Sequence, residues 1–195
     1  MDLKPYCNML YPYFSEEKFS KVDTLECGHY EECIFEDCNF SGLDFLDFRF
    51  EDCEFRGCNL SNIPLQNCAF QKVHFVDSKL IGLDFEHCKD LGFGVSFENC
   101  SLDHSSFYKR KLKTTKFIAC NLSEVDFSSC DLQGATFTKS ILRAANFDNA
   151  NLQKADFTEA LEFNINPNKT KLKGAKFSRQ NIEGILSSFG VILRP

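Results

Sequence analysis

Histidine and cysteine are the residues of this sequence that could support a metal or redox site. The 195-residue chain contains four histidines and eleven cysteines. The histidines His29, His74, His87 and His104 are scattered, and their spacing brings no three of them toward one ion. The cysteines include no C-x-x-C pair and have no zinc-type spacing. We therefore expect no metal site and no cofactor.

The sequence also lacks the patterns that accompany catalysis. It has no nucleophile motif, no glycine-rich phosphate loop and no paired-acid signature of a catalytic site, so we expect a protein that is not an enzyme. No stretch approaches the roughly 18 to 20 apolar residues that span a bilayer. Residues 1–14 show no basic segment followed by an apolar run. These patterns predict a cytoplasmic protein with free thiols and no membrane contact.

Large apolar residues recur every five positions, a period typical of neither a helix nor a plain strand. The first series is Tyr30, Phe35, Phe40, Phe45, Phe50, Phe55, Leu60, Leu65, Phe70, Phe75, Leu80 and Phe85. After a shift of two residues it continues as Phe97, Leu102, Phe107, Leu112, Phe117, Leu122, Phe127, Leu132, Phe137, Leu142, Phe147, Leu152 and Phe157. It returns at Leu172, Phe177 and Ile182.

A second rank of small residues stands two positions before the large ones. Nine of its members are cysteines, and alanine or serine occupies the same place in other units. Residues two apart in an extended segment face the same side, so both ranks should point inward. Free cysteine packs as a small hydrophobe, and we interpret these nine as core residues. The other two positions of each unit favour turns, which predicts a square coil of twenty residues with four corners.

Units such as 145–149 (ANFDN) and 150–154 (ANLQK) resemble those of the pentapeptide-repeat family. The resemblance covers about residues 25–180 and implies an all-β fold, a right-handed quadrilateral β-helix. We expect residues 1–24 to form an N-terminal cap or arm and residues 25–178 the β-helix. Residues 179–195 should form a C-terminal capping and dimerisation segment with a short helix.

Two segments interrupt the pattern. Residues 88–96 carry two extra residues and two glycines, which predicts a bulge or small loop. In residues 108–116, Arg110 takes a small inward place, so either the wall bulges outward or Arg110 finds an acid. The two breaks supply a further set of candidate site residues, and the sequence leaves open whether they contact the partner: Lys89, Asp90, Phe93, Tyr108 and Arg110.

Charge is distributed unevenly along the chain. Residues 1–100 carry 19 acids against 8 Lys and Arg, and residues 101–195 carry 9 against 14. A twenty-residue coil places Glu31 beside Glu51 and Glu32 beside Asp52, which predicts an acidic face for a basic partner. The candidate residues are Glu31, Glu32, Glu36, Asp37, Asp47, Glu51, Asp52 and Glu54.

The C-terminal segment has apolar residues at helical spacing after Ser178, a candidate helix cap, and Gly190 should end the helix. Because the apolar tail exceeds what covering the last coil needs, we expect a homodimer through the C-terminus. The candidate interface residues are Ile182, Ile185, Leu186, Phe189, Val191 and Ile192. Residues 185–192 (ILSSFGVI) resemble the dimerisation segment of the Qnr quinolone-resistance proteins and of the albicidin-resistance protein AlbG.

The Qnr and AlbG resemblance implies a DNA mimic that binds DNA gyrase or topoisomerase IV and protects it from fluoroquinolones or a gyrase-directed toxin. It also implies no direct binding of nucleic acid. Qnr proteins of Gram-negative bacteria carry longer projecting loops, and their lack here favours an immunity role or simple competition with DNA. The alternative is a structural protein–protein interaction module with another partner.

Overall fold

The computed structural model describes residues 11–191. They form an all-β, right-handed quadrilateral β-helix that ends in one short helix, as the sequence predicted. Its coils stack in parallel, and four flat walls surround a single apolar interior. We call these walls A, B, C and D in the order in which the chain follows them.

Walls A and B carry the regular strands. Wall A contains β1 (Tyr13–Ser15), β3 (His29–Glu31), β5 (Arg49–Glu51) and β7 (Ala69–Gln71). Wall B contains β2 (Lys18–Ser20), β4 (Ile34–Glu36), β6 (Glu54–Arg56), β8 (Val73–Val76), β9 (Val95–Glu98), β10 (Lys116–Ile118) and β11 (Thr136–Thr138). Walls C and D are held by single bridges between coils, such as Asn39 with Asn59 and Asp126 with Asn146.

The interior of wall B is an unbroken file of phenylalanine rings. Rings in successive coils stack with centroids 4.5 to 5.4 Å apart. The file consists of Phe19, Phe35, Phe55, Phe75, Phe97, Phe117, Phe137, Phe157 and Phe177. Wall D contributes a second file in the C-terminal half, whose rings meet the first edge to face, as Phe107 meets Phe117 at 6.1 Å. Phenylalanine rings therefore line two opposite walls in this half of the solenoid.

The corners require a left-handed backbone. Glu32 and Asp52 have φ angles of 54° and 50°, in a region that costs an L-residue about 1 to 2 kcal/mol. Hydrogen bonds between coils offset this cost, because the corner N–H of Glu32 donates to Glu51 O at 2.9 Å. Glycine, asparagine and aspartate tolerate this conformation best, which explains their frequency at the fifth place of the repeat.

The sheets begin earlier than the sequence indicated. We assigned residues 1–24 to a cap or arm, but β1 and β2 extend walls A and B by one strand each. Phe14 stacks on Tyr30, and Phe19 stacks on Phe35. The spacing to the next coil is sixteen residues here rather than twenty, because Phe14 pairs with Tyr30 and Phe19 with Phe35. Residues 11–20 thus cover the first coil by continuing its sheets.

The first break is a loop on wall A. Phe75 pairs with Phe97, twenty-two residues later, so both extra residues lie outside the interior. Loop 88–94 replaces the strand that wall A would have between β7 and Lys111. The second break does not distort the backbone. Lys111 bridges Asp131, and the neighbouring Leu112 is buried.

The cysteines of the small inward rank are core residues, as predicted. All nine are buried and free, and they are Cys33, Cys38, Cys53, Cys58, Cys68, Cys88, Cys100, Cys120 and Cys130. Several donate to a main-chain carbonyl, as Cys53 does to Tyr30 O at 3.3 Å. Burial raises the pKa of the Cys53 thiol to about 12. Packing in a repeated niche therefore accounts for them.

At the C-terminus, helix α1 (Glu183–Leu186) is followed by a 3-10 turn at Ser187–Phe189. Gly190 ends it with a φ of 68°, as predicted. The expected cap was wrong: Ser178 Oγ accepts from Asn181 N at 3.2 Å, and the residue before the helix, Ile182, makes no side-chain cap bond. The sequence pattern placed the first helical turn too early because residues 179–182 form a separate turn.

Candidate partner-binding surfaces

The predicted acidic face lies on walls A and B of the N-terminal coils. Glu31 pairs with Glu51 across adjacent parallel strands, as the twenty-residue coil required. Glu32 and Asp52 occupy successive positions on the corner between walls A and B. Glu36, Asp37 and Glu54 follow on wall B and its far edge, and Asp47 lies at the corner between walls D and A. The structure therefore brings these residues onto neighbouring surfaces.

The corner between walls A and B carries a further acid that the sequence analysis missed. Glu16 links β1 and β2 in a left-handed conformation, and its N–H donates to Glu31 O at 3.0 Å. This is the position of Glu32 and Asp52 in the following coils, so Glu16, Glu32 and Asp52 form a column. The sequence analysis missed Glu16 because it assumed a spacing of twenty residues, whereas Glu16 and Glu32 are sixteen residues apart. The five-residue spacing of Phe14 and Phe19 was the available signal.

Basic side chains neutralise part of this face. Lys18 lies 2.9 Å from Glu36 and Lys72 lies 3.0 Å from Asp52. Arg56 donates from Nε and from a terminal nitrogen to the two oxygens of Glu54, both at 2.7 Å. Hydrogen bonding from Arg56 lowers the pKa of the Glu54 carboxyl, and hydrogen bonding from Lys18 lowers that of Glu36.

Other acids of the face keep their charge available. Within the described residues, Glu16, Glu32, Asp37 and Asp47 form no ion pair. Glu31 accepts a hydrogen bond from the Tyr13 hydroxyl, which leaves its charge uncompensated. Two of the three members of the corner column, Glu16 and Glu32, thus carry unbalanced negative charge, whereas Asp52 is paired with Lys72.

Arg110 joins the two breaks of the repeat into one structure. Its side chain is 4% exposed and lies inside the wall, in the row that also contains Cys88 and Cys130. One terminal nitrogen donates to Cys88 O at 2.9 Å and to Asp90 Oδ1 at 2.8 Å, and the other donates to Lys89 O at 3.0 Å. Of the two outcomes expected for Arg110, pairing with an acid is the correct one.

The same guanidinium packs over the Phe93 ring, 3.9 Å from its centroid. Four of the predicted break residues therefore come together. Lys89, Asp90 and Phe93 lie in loop 88–94, and Arg110 contacts the loop from the following coil. Tyr108 does not contribute to this arrangement and lies on wall D beside Lys109, whose Nζ is 4.5 Å from the ring centroid. The sequence analysis missed Leu91, which stands at the tip of the loop and is 86% exposed.

The candidate dimer residues surround the end of the solenoid. Ile185 packs against the core, and Gly184 contacts Phe163 so closely that a side chain there would clash with the ring. Asn181 Nδ2 donates to Phe157 O at 2.7 Å and to Ala160 O at 3.1 Å. Phe189 and Val191 are 53% and 48% exposed, whereas Ile182 and Leu186 are half-buried. Ile192 lies outside the described residues.

Residues 11–191 contain no group of three His, Cys, Asp or Glu side chains placed to bind a metal ion. The histidines stand on separate walls and face polar neighbours. His29 lies 3.5 Å from Glu51, His104 lies 3.3 Å from Glu124, and His74 contacts the Ser96 hydroxyl. No helix within this range has the length and apolar character needed to cross a bilayer.

Comparison with known proteins identifies the family. A family model for a pentapeptide repeat region matches three overlapping segments, residues 29–107, 93–148 and 110–186. The chain is a pentapeptide-repeat protein. No curated protein sequence matches this pentapeptide-repeat protein.

Solved structures share the fold at low sequence identity. A trypsin-treated variant of QnrB1, described as a plasmid-mediated fluoroquinolone resistance protein, matches with a TM-score of 0.62 and 15% identity over 94% of this chain and 100% of that one. A second trypsin-treated variant of QnrB1 matches with a TM-score of 0.60 and 17% identity, over 95% and 100% of the two chains.

HetL, from the cyanobacterium Nostoc sp. strain PCC 7120, is described as a pentapeptide repeat protein involved in the regulation of heterocyst differentiation. It matches with a TM-score of 0.57 and 15% identity over 95% of this pentapeptide-repeat protein and 93% of HetL.

Proposed function

We propose that this pentapeptide-repeat protein binds a type II topoisomerase, DNA gyrase or topoisomerase IV, by presenting its acidic face in place of DNA. Binding would protect the enzyme from fluoroquinolones or from a gyrase-targeting toxin. The observation that carries the proposal is the corner column of Glu16, Glu32 and Asp52. Its carboxylates repeat at the coil spacing of about 4.8 Å, within the screening length of about 8 Å, so they act together on a basic partner.

The dimensions of the rod suit this role. The phenylalanine file of wall B has eight coil steps between Phe19 and Phe177, or about 38 Å at the strand spacing. At about 3.4 Å per base-pair step, that is the length of about 11 base pairs of duplex DNA. Two rods joined at the C-terminal segment would present about 22 base pairs, so we include a homodimer through Phe189 and Val191 in the proposal.

Likeness to QnrB1 gives further support. QnrB1 is named as a fluoroquinolone resistance protein, and both trypsin-treated variants match over their full length. HetL matches the fold nearly as well and is named for a role in differentiation. A second candidate function is therefore an interaction module for another protein.

Supercoiling by purified DNA gyrase tests the proposal. The protein should reduce supercoiling or the cleavage complexes that ciprofloxacin traps, and it should bind the DNA-gripping region of the enzyme. The double variant Glu51→Lys/Asp52→Lys should weaken binding at least tenfold, since it reverses charge in the corner column at Asp52 and beside it at Glu51. Each surface substitution changes stability by about 0.5 kcal/mol at most, so the melting temperature of the double variant should stay within about 4 °C of the wild type.

The matched control is Glu124→Lys/Glu159→Lys, which changes net charge equally on exposed positions of later coils. Glu124 shares the left-handed corner conformation of Asp52. This control should bind like the wild type. Absence of gyrase and topoisomerase IV binding, with unchanged supercoiling and no effect on drug-trapped cleavage, would discard the topoisomerase role and leave the interaction module.

A further inference from the structure

A basic surface lies where wall A is interrupted. Here loop 88–94 borders a groove of about 350 Å³ at the corner of walls A and B. The groove is lined by four lysines, Lys72, Lys111, Lys113 and Lys116. We call it the basic groove. It adjoins the acidic corner column, whose last member Asp52 pairs with Lys72, and it is separate from the C-terminal segment.

The lysines of the basic groove carry more charge than their neighbours neutralise. Lys72 Nζ lies 3.0 Å from Asp52, and Lys113 Nζ lies 3.3 Å from Asp131. Lys111 and Lys116 are exposed and pair with no acid within residues 11–191. Like charges around one opening repel each other, and a bound anionic group would relieve that repulsion.

The floor of the groove is apolar. Val73 and Val95 are buried beneath it, and the half-buried Phe93 forms one side. Arg110 holds Phe93 from inside the wall, through packing at 3.9 Å and three hydrogen bonds to the preceding residues. A loop fixed in this way loses little conformational freedom when a partner binds.

One edge of the groove also has an unused backbone donor. In later coils of wall A, Asp131 N donates to Arg110 O at 3.0 Å and Asn151 N donates to Cys130 O at 2.8 Å. The equivalent N–H of Lys111 has no backbone partner among the described residues, and the corresponding carbonyl, Cys88 O, accepts from the Arg110 guanidinium instead.

We propose that the basic groove binds a short, extended acidic segment of a protein partner, with carboxylates at the lysines and an apolar side chain against Phe93. The groove spans two coil steps, about 10 Å, which is about three residues of extended chain. Acids stand at both ends of it, Asp52 on one side and Asp131 on the other. Duplex DNA, with a charge every ~1.7 Å, would extend over these acids and be repelled.

The proposal does not depend on topoisomerase binding, and peptide binding tests it directly. The probe is a fluorescein-labelled heptapeptide with three glutamates around a central leucine, titrated with the full-length protein and followed by fluorescence anisotropy. The glutamine version of the peptide and a labelled 20-base-pair duplex serve as comparison ligands. The groove variant is Lys111→Glu/Lys116→Glu. The matched control is Lys139→Glu/Lys154→Glu, which changes net charge equally at exposed lysines of later coils.

The glutamate peptide should bind the wild type and the control variant alike. Its affinity for the groove variant should fall at least about tenfold, which corresponds to about 1.4 kcal/mol. The glutamine peptide should bind at least tenfold more weakly than the glutamate peptide. Four results would each overturn the proposal: no saturable peptide binding, equal binding to the groove variant, an equal loss in the control, or tighter binding of the duplex.

Discussion

Replacing Arg110 with alanine tests whether a buried guanidinium holds loop 88–94 in place. The side chain donates to Cys88 O at 2.9 Å and to Lys89 O at 3.0 Å. Charged hydrogen bonds of this kind contribute about 1.5 to 3 kcal/mol each, and release of the buried charge offsets part of the loss. We expect the loop to lose about 2 to 3 kcal/mol of local stability, or roughly 30- to 150-fold in its opening equilibrium.

Amide hydrogen exchange measures this opening directly, since a solenoid can open locally without global unfolding. The reporters are the N–H groups of Lys89 and Gly94, which donate to Cys68 O at 2.8 Å and Phe70 O at 2.9 Å. Both should exchange faster in the alanine variant. The N–H of Leu132, which donates to Asn151 O in a later coil, should not change.

Two further variants separate the contributions to the same loop. Asp90 is 92% exposed, so Asp90→Asn should change loop exchange by less than a factor of about five, as the low value of surface ion pairs implies. Arg110→Lys keeps the positive charge but lacks the planar guanidinium and its several donors, so it should raise loop exchange to a level between the wild type and Arg110→Ala. The reasoning fails if Arg110→Ala leaves both reporters protected, or if Asp90→Asn exposes them equally.

Three other perturbations probe the interior, the thiols and the end of the rod. Phe117→Ala empties a place between Phe97 and Phe137 and should cost about 3 to 5 kcal/mol by denaturant unfolding; a loss below about 1 kcal/mol would contradict close packing of the file. Among the ten cysteines of residues 11–191, iodoacetamide at pH 8 should modify the exposed Cys27 first. Burial shields the other nine thiols and raises the pKa of Cys88 to about 12. Equal labelling of Cys27 and Cys88 by mass spectrometry would refute this. Phe189→Asp should convert the proposed dimer to a monomer in analytical ultracentrifugation, whereas Leu91→Asp, on the loop, should leave the oligomeric state unchanged.

The interior of this protein was predictable because each coil repeats the same arrangement of inward-facing side chains. The five-residue repeat determined which residues face inward, and the ten-residue spacing of Phe97, Phe107 and Phe117 determined which walls carry rings. The alignment of Glu31 with Glu51 followed from the coil length alone. Periodicity therefore predicted both the fold and the main part of the acidic face.

The departures from periodicity were less predictable. The sixteen-residue first coil depends on how residues 21–28 shorten the path, with Gly28 so close to Pro12 that a Cβ would lie 2.7 Å from its carbonyl oxygen. Pro12 and Gly28 are far apart in the sequence, and a single contact between them produces no periodic pattern, so Glu16 was missed. Arg110 was recognised as anomalous, but its carbonyl partners belong to another coil. The start of the C-terminal helix was misplaced because Ser178 bonds within a preceding turn.

The pairing of Phe75 with Phe97 across loop 88–94 has a consequence for how this chain can change in length. The two added residues on wall A leave the ring stacking of wall B unbroken. A change in the length of the loop therefore does not disturb the packing of the interior. Insertions between Lys89 and Gly94 would alter only what the rod displays at mid-length. The site is thus a natural position for grafting a recognition segment onto an unchanged scaffold.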